Sequence, residues 1–217
     1  MLVIFQGTSL SMMNRIIIQP GETMKIIDEP QFGPMFRFND ANVYWSLYIL
    51  SDGRRMGRKR LAEEVGVGEG SMRRIIDTLK EWDFILIKQT GITITKAGQA
   101  FLSQLPIRPV DVYIEGSVVG KYQQAVLVLG CADKVVNGME QRDIGIKVGG
   151  EGCTTIVIRD GNLLIPPDWN LDEKDPELAY NIRKETGITK SDALIIGGGD
   201  TKTSAVDAAV SAALNMF

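Results

Sequence analysis

The chain has 217 residues, enough for one or two domains, and its 44% apolar and 24% charged residues are an ordinary balance for packed cores. Histidine is absent, which excludes a Ser-His-Asp triad, a histidine general base and most zinc sites. The formal net charge is −3, yet residues 36–105 hold 11 Lys+Arg against 8 Asp+Glu and the remainder 13 against 19. Basic charge is therefore gathered in one segment, as local phosphate binding requires.

Two cysteines, Cys131 and Cys153, are too few for a disulfide framework and lack metal-ligand spacing. No run of about 18 uncharged apolar residues occurs, and no basic n-region precedes an apolar h-region. The chain reads as cytoplasmic, with no membrane partner, no metal and no cofactor.

Residues 1–35 carry two short β-like runs, Arg15–Gln19 and Lys25–Asp28, around the turn signal Pro20-Gly21. They read as an arm or a hairpin that packs on a partner subunit. Helical periodicity begins at Asn39 or Asp40 as N-cap, with Val43, Leu47 and Leu50 in one stripe and Asp52-Gly53 as the stop. The basic run Arg54–Arg60 leads into a short helix that turns Leu61 and Val65 inward and ends at Gly66. Val67–Gly70 supplies a turn, and Ser71 is placed to cap a third helix with Met72, Ile75, Ile76 and Leu79 on its apolar face. Its outward face is Gly70, Ser71, Arg73, Arg74, Asp77 and Lys80. Phe84–Lys88 and Ile92–Thr95 alternate as two strands joined through Gln89-Thr90-Gly91, and Lys96–Leu105 is a closing helix.

The order helix, short strand, helix, turn, helix, hairpin resembles the winged helix-turn-helix regulators of bacteria and archaea. The segment RKRLAEEVGVGEGSMRRIIDTLKEWDFILIKQTGITITKAGQAFL carries the likeness, through its LAEEVGV helix, its S-x-R-R-I-I-x-x-L helix and G-I-T-I-T-K-A-G at the return strand. The whole chain is similar to archaeal regulators that join this domain to an uncharacterised C-terminal domain. The resemblance implies double-stranded DNA as partner. Ser71, Arg73 and Arg74 then lie where recognition helices meet base edges, and Arg58, Lys59, Lys80, Lys88 and Lys96 where phosphates run. Glu63, Glu64 and Glu81 interrupt the basic surface, so two copies, a homodimer, are expected to share the binding. The same fold also serves as a protein-docking module, and an Arg-Arg pair is also a common solvated face.

Pro106–Pro109 reads as a linker, which gives domains over 36–105 and 110–217. In the second, Val110–Ile114, Gln124–Leu129, Thr154–Arg159, Asn162–Ile165 and Ala193–Ile196 are expected as strands, with Asp160-Gly161 as a hairpin turn. Helices are expected over Asn137–Val148, where Ile144 and Val148 point inward, over Pro176–Thr186, and over Thr201–Asn215. From Gln124 to Ile196 the order is β-α-β-β-α-β, as in ferredoxin-like domains, so the fold class is α+β, a winged helix followed by an α/β sandwich. This domain is expected to hold a dimer, sense a small-molecule effector, or both.

Two places there suggest chemistry. Gly197-Gly198-Gly199-Asp200 reads as a glycine-rich turn whose N–H groups could cradle a phosphate, with Asp200 alternatively the cap of the last helix. Arg142, among Glu140, Asp143 and Lys147, is placed to neutralise an anion, or simply to form ion pairs such as Asp143 with Lys147 on an exposed face. Cys131 and Cys153 read as small core residues, and Trp169 as cover for a core edge. An enzyme acting on a phosphorylated small molecule is the weakest reading, and none of these residues is assigned a catalytic role.

Overall fold

The computed structural model describes residues 24–27, 36–115, 118 and 120–217, and it divides into two compact units between Leu102 and Ser103. The Arg15–Gln19 run, and with it the expected arm or hairpin, lies outside the described residues. Of that segment, Met24, Ile26 and Ile27 are buried, and the Asp40 carboxylate accepts from the N–H groups of Ile26 and Ile27, both at 2.8 Å.

The first unit contains helices α1 (Asp40–Leu50), α2 (Arg58–Val65) and α3 (Glu69–Glu81), strands β1 (Ile85–Lys88) and β2 (Gly91–Ile94), and the start of α4 (Lys96–Gln104). Asn39 caps α1 through a reciprocal pair of bonds with Asn42, each 3.0 Å. The periodic residues Val43, Leu47, Leu50, Leu61, Val65, Met72, Ile75, Ile76 and Leu79 are all buried, and they form one core. Gly66 closes α2 at φ 81, in the left-handed region that releases the chain into the turn before α3. Met56, between α1 and α2, bridges to Ile92 and adds a short third partner to the β1–β2 hairpin.

The second unit contains a six-stranded sheet. Its strands are β3 (Ile107–Val110), β4 (Tyr122–Val128), β5 (Gly152–Arg159), β6 (Asn162–Ile165), β7 (Trp169–Asn170) and β8 (Ala193–Gly199). Its helices are α5 (Met139–Lys147), α6 (Leu171–Lys174), α7 (Pro176–Thr186) and α8 (Lys202–Leu214). Alternation along β8 sends Leu194 and Ile196 into a cluster with Leu171, Ala179 and Ile182 of α6 and α7. The opposite face of the sheet packs on α8 and α5, giving three layers.

The sheet order departs from the expected one. The order β3-β4-β8-β5-β6-β7, antiparallel at every step, keeps β4 and β5 parallel with one strand inserted between them. A ferredoxin-like sheet inserts the hairpin partner at that place; here the inserted strand is β8. The reason lies in burial: β8 is seven residues long and buried throughout, whereas β6 has four residues of which only Leu163 is buried. The segment read as a linker is part of β3, paired with β4, and it replaces the strand expected over Val110–Ile114. Pro109 is tolerated because β3 is an edge. In α5 the buried positions are Gln141 and Gly145, with Ile144 and Val148 only half-buried. The helix lies so close to the sheet that a Cβ on Gly145 would stand 2.7 Å from the Cys153 sulfur. Trp169 is 55% exposed on the two-residue strand β7 rather than covering the core.

Both cysteines are buried, and burial pushes each thiol up to about 12, so both are small core residues. Asp172 binds Arg183 through both carboxylate oxygens, at 2.6 and 2.8 Å, and accepts from the Leu163 N–H at 2.6 Å. The Arg183 bonds, then the backbone donor, hold its carboxyl below the usual carboxylate range. A carboxyl lowered on folding contributes stability above its unfolded pKa, and that contribution is lost as pH falls through the folded value. Asp172→Asn is therefore expected to lower the melting temperature at neutral pH, and the gap to the parent should close in acid. Thermal melts of both proteins over a pH series check this.

Candidate nucleic-acid interface

The α3 helix presents Arg73, Arg74, Asp77 and Lys80 to solvent because Met72, Ile75, Ile76 and Leu79 occupy the opposite side. At about 100° per residue, Arg73, Asp77 and Lys80 share one stripe, with Lys80 about 10 Å along the axis from Arg73. Arg74 faces sideways, its guanidinium carbon 5.6 Å from the centre of the Phe36 ring, which stacks on Phe38 at 4.8 Å. That contact fixes the direction of Arg74 while its charge stays exposed. Lys80 in the last turn also suits the helix dipole on its own account.

Ser71 is not the cap of this helix. The chain enters α3 three residues earlier, with Gly68 as N-cap and its carbonyl accepting from Met72 N–H at 2.9 Å. Ser71 lies within the first turn, and its hydroxyl reaches the carbonyl of Arg37 at 3.4 Å. A glycine N-cap leaves the first N–H groups of α3 without a side-chain acceptor.

The α2 helix begins on the same plan. Gly57 is its N-cap, again with no side-chain bond, and Arg58, Lys59 and Arg60 fill the first turn with no acidic residue among them. Three cations at the positive end of a helix dipole are locally unfavourable, and an anion relieves both the charge and the uncapped N–H groups. Arg60 is paired with Glu64 at 2.9 Å, whereas Arg58 and Lys59 are exposed, with no ion pair among the described residues. Arg54 is held by Asp52 at 2.6 Å, and the Arg54 N–H, then its guanidinium, keep the Asp52 carboxyl below its ordinary range. Arg55 donates to Thr90 at 3.3 Å, which joins the basic run to the hairpin turn.

The hairpin separates two residues that the sequence grouped together. Lys88 pairs with Gly91 at the tip, where Gln89-Thr90 is the turn. Lys96 follows the base, beyond the Ile85–Ile94 pair, which itself lies about 10 Å from the tip at the ordinary strand rise. Leu86 and Ile87 on β1 are 45% and 44% exposed, so this strand does not alternate as expected. Arg37 is a cation that the pattern missed. Only its exposure beside Ser71 and α3 brings it into the group, and no periodic signal in the segment before α1 marks it.

In the second unit the proposed glycine cradle is not a turn. Gly197, Gly198 and Gly199 form the end of β8, the first two paired with both β4 and β5 and Gly199 with β4, so their backbone groups serve the sheet. Asp200 is not the cap either. Thr201 is, through its bond from Ser204 N–H at 3.0 Å. Arg142 is exposed on α5, its stem passing over Gly152, and no ion pair joins Asp143 to Lys147 among the described residues. Gln141 on α5 and Thr155 on β5 are among the few buried polar residues of this unit.

Residues 47–107, which span the end of α1 through the start of β3, match the family model of the CggR N-terminal DNA binding domain. Residues 119–216 match a second family, a domain of unknown function, DUF4443. The pair matches a winged helix-turn-helix regulator with an uncharacterised C-terminal domain. Among solved structures, a hypothetical protein, PH0730 from Pyrococcus horikoshii OT3, is similar at 26% identity and a TM-score of 0.65, over 82% of this chain and 91% of that one. No curated protein matches. No helix among the described residues is long and apolar enough to cross a membrane.

Proposed function

We propose that the chain is a sequence-specific transcriptional regulator that binds duplex DNA as a homodimer through a winged helix. In this reading α3 lies in the major groove, where Arg73 and Arg74 contact base edges or the groove wall. Arg58 and Lys59, with the uncapped N–H groups of α2, take a phosphate, and Lys88 at the hairpin tip and Arg37 take others. The observation that carries the reading is the first turn of α2: two exposed cations on a helix end with no side-chain cap, in a domain that matches a DNA-binding family. Lys96, at the base of the hairpin, is the least suited of the expected phosphate contacts.

The C-terminal domain is read as a dimerisation or effector-sensing module, not an enzyme. Glycine-cradled phosphate chemistry has no support once β8 consumes those backbone groups.

The phosphate role of α2 is tested by Arg58→Ala with Lys59→Ala. Affinity for DNA should fall for all sequences alike, and the slope of log K against log salt should flatten by about 2 in a titration at four salt concentrations. An unchanged slope rejects that role. Exposed Leu86 and Ile87 favour one rival, a protein-docking hairpin. Leu86→Ser with Ile87→Ser separates the two, since DNA affinity should survive it within about threefold.

A further inference from the structure

Eight large apolar side chains stand exposed among the described residues, and three of them, Val136, Met139 and Ile146, lie on α5 or at its entry. Met139 and Ile146 are 52% and 46% exposed and seven residues apart, two turns, so they share one outward ridge. Arg142 and Asp143 lie between them on that ridge, and Glu140 and Lys147, again seven apart, share one flank. The inward side of the helix is taken by Gln141 and Gly145, and this outward side is left exposed among the described residues.

We propose that the α5 ridge is the contact surface for a second copy of this chain, with the two α5 helices antiparallel about a two-fold axis. Charge selects that occupant. Residues 106–217 hold 11 Lys+Arg against 16 Asp+Glu, so two such domains carry the same net negative charge and repel overall. The α5 face carries two acids and two bases and is neutral. With the axis midway between Arg142 and Asp143, Met139 comes level with Ile146 of the second copy, and Arg142 with its Asp143. Glu140 falls within about 3 Å axially of Lys147 of the second copy, and symmetry makes every pairing occur twice. Apolar residues then meet apolar ones and the charges meet their opposites, which an unrelated partner has no reason to match. The usefulness of such a dimer rests on the regulator reading, because two linked winged helices read two half-sites.

The test is sedimentation velocity on the full chain without DNA, so that it stands apart from DNA binding, which is titrated separately. Met139→Ser with Ile146→Ser should weaken self-association at least tenfold. Glu140→Lys or Lys147→Glu alone should weaken it severalfold, because each removes two opposite-charge contacts and creates two like-charge ones. The double swap Glu140→Lys with Lys147→Glu should return association to within about twofold of the parent. All four positions are exposed, and circular dichroism melts verify that the variants fold. A monomeric parent, variants that associate as the parent does, or a double swap as weak as the two singles combined would each overturn the proposal. If the parent binds DNA in any of those cases, the regulator reading stands and only this surface is rejected.

Discussion

Replacing Arg73 and Arg74 together by alanine is expected to lower affinity for a specific DNA site by at least thirtyfold. Each arginine that meets a base edge is worth about 1–3 kcal/mol of discrimination, so two lost contacts amount to about 2–6 kcal/mol. The melting temperature should hardly change, because both side chains are exposed and neither is ion-paired among the described residues. Arg74 over Phe36 is the one qualification: losing that contact frees the Phe36 ring and costs a few tenths of a kcal/mol. The pattern to look for is a large loss for the cognate site and a smaller one for random duplex. Equal losses for both would reduce these residues to phosphate contacts. Parallel anisotropy titrations of the two duplexes make the comparison.

A second large effect is expected at Gly197, this time on stability. A Cβ built there stands 2.4 Å from the Ala209 nitrogen and 2.5 Å from the Ala205 carbonyl oxygen, both backbone atoms of α8. Neither can swing away as a side-chain end would, so Gly197→Ala must push the whole helix off the sheet. The α8 face that packs there is small by composition, with Ala205, Ala208, Ala209, Ala212 and Ala213 all buried. Gly197→Ala is expected to cost about 3 kcal/mol, at the upper end for overpacking. In a chain of this size that lowers the melting temperature by about 6–12 °C. Gly70→Ala provides the contrast. It lies in α3 with nothing within 4 Å of the added Cβ, and should stabilise the fold by up to about 1 kcal/mol. Differential scanning calorimetry of the two variants measures both. A Gly197→Ala protein that melts with the parent would mean that β8 and α8 are not packed backbone to backbone.

The same glycines explain where the sequence misled. Three glycines before an aspartate have low strand propensity, and the local signal is a turn. What makes them strand is tertiary: an alanine-faced helix that docks only on a surface without side chains. The sheet order was hidden for a related reason, since alternation marks which segments are strands but not which one deserves the doubly covered centre. Local punctuation is legible in the sequence. Pro176 to Thr186 is the helix expected, ended by Gly187, and the turn at Asp160-Gly161 has both residues at positive φ. The stripe in α1 and the buried face of α3 followed from period alone.

At the candidate interface, the exposed positions on α3 were legible because they are the complement of its apolar stripe. Its starting residue was not, since Ser71 is the stronger cap by residue type, yet the turn needs the extended Gly68 at φ −67 and ψ 155. Which of the five cations from Arg54 to Arg60 stay unpaired was likewise invisible, because it depends on Asp52, Glu64 and Thr90 being within reach.

The central claim is DNA binding by the first unit. The most direct measurement is fluorescence anisotropy of the full chain against duplex from upstream of its own gene and against mixed genomic fragments, at low and moderate salt. Saturable binding that weakens steeply with salt and prefers the upstream duplex is the predicted result. No binding to either DNA at low salt would contradict the account, and the domain would then be a protein-docking module.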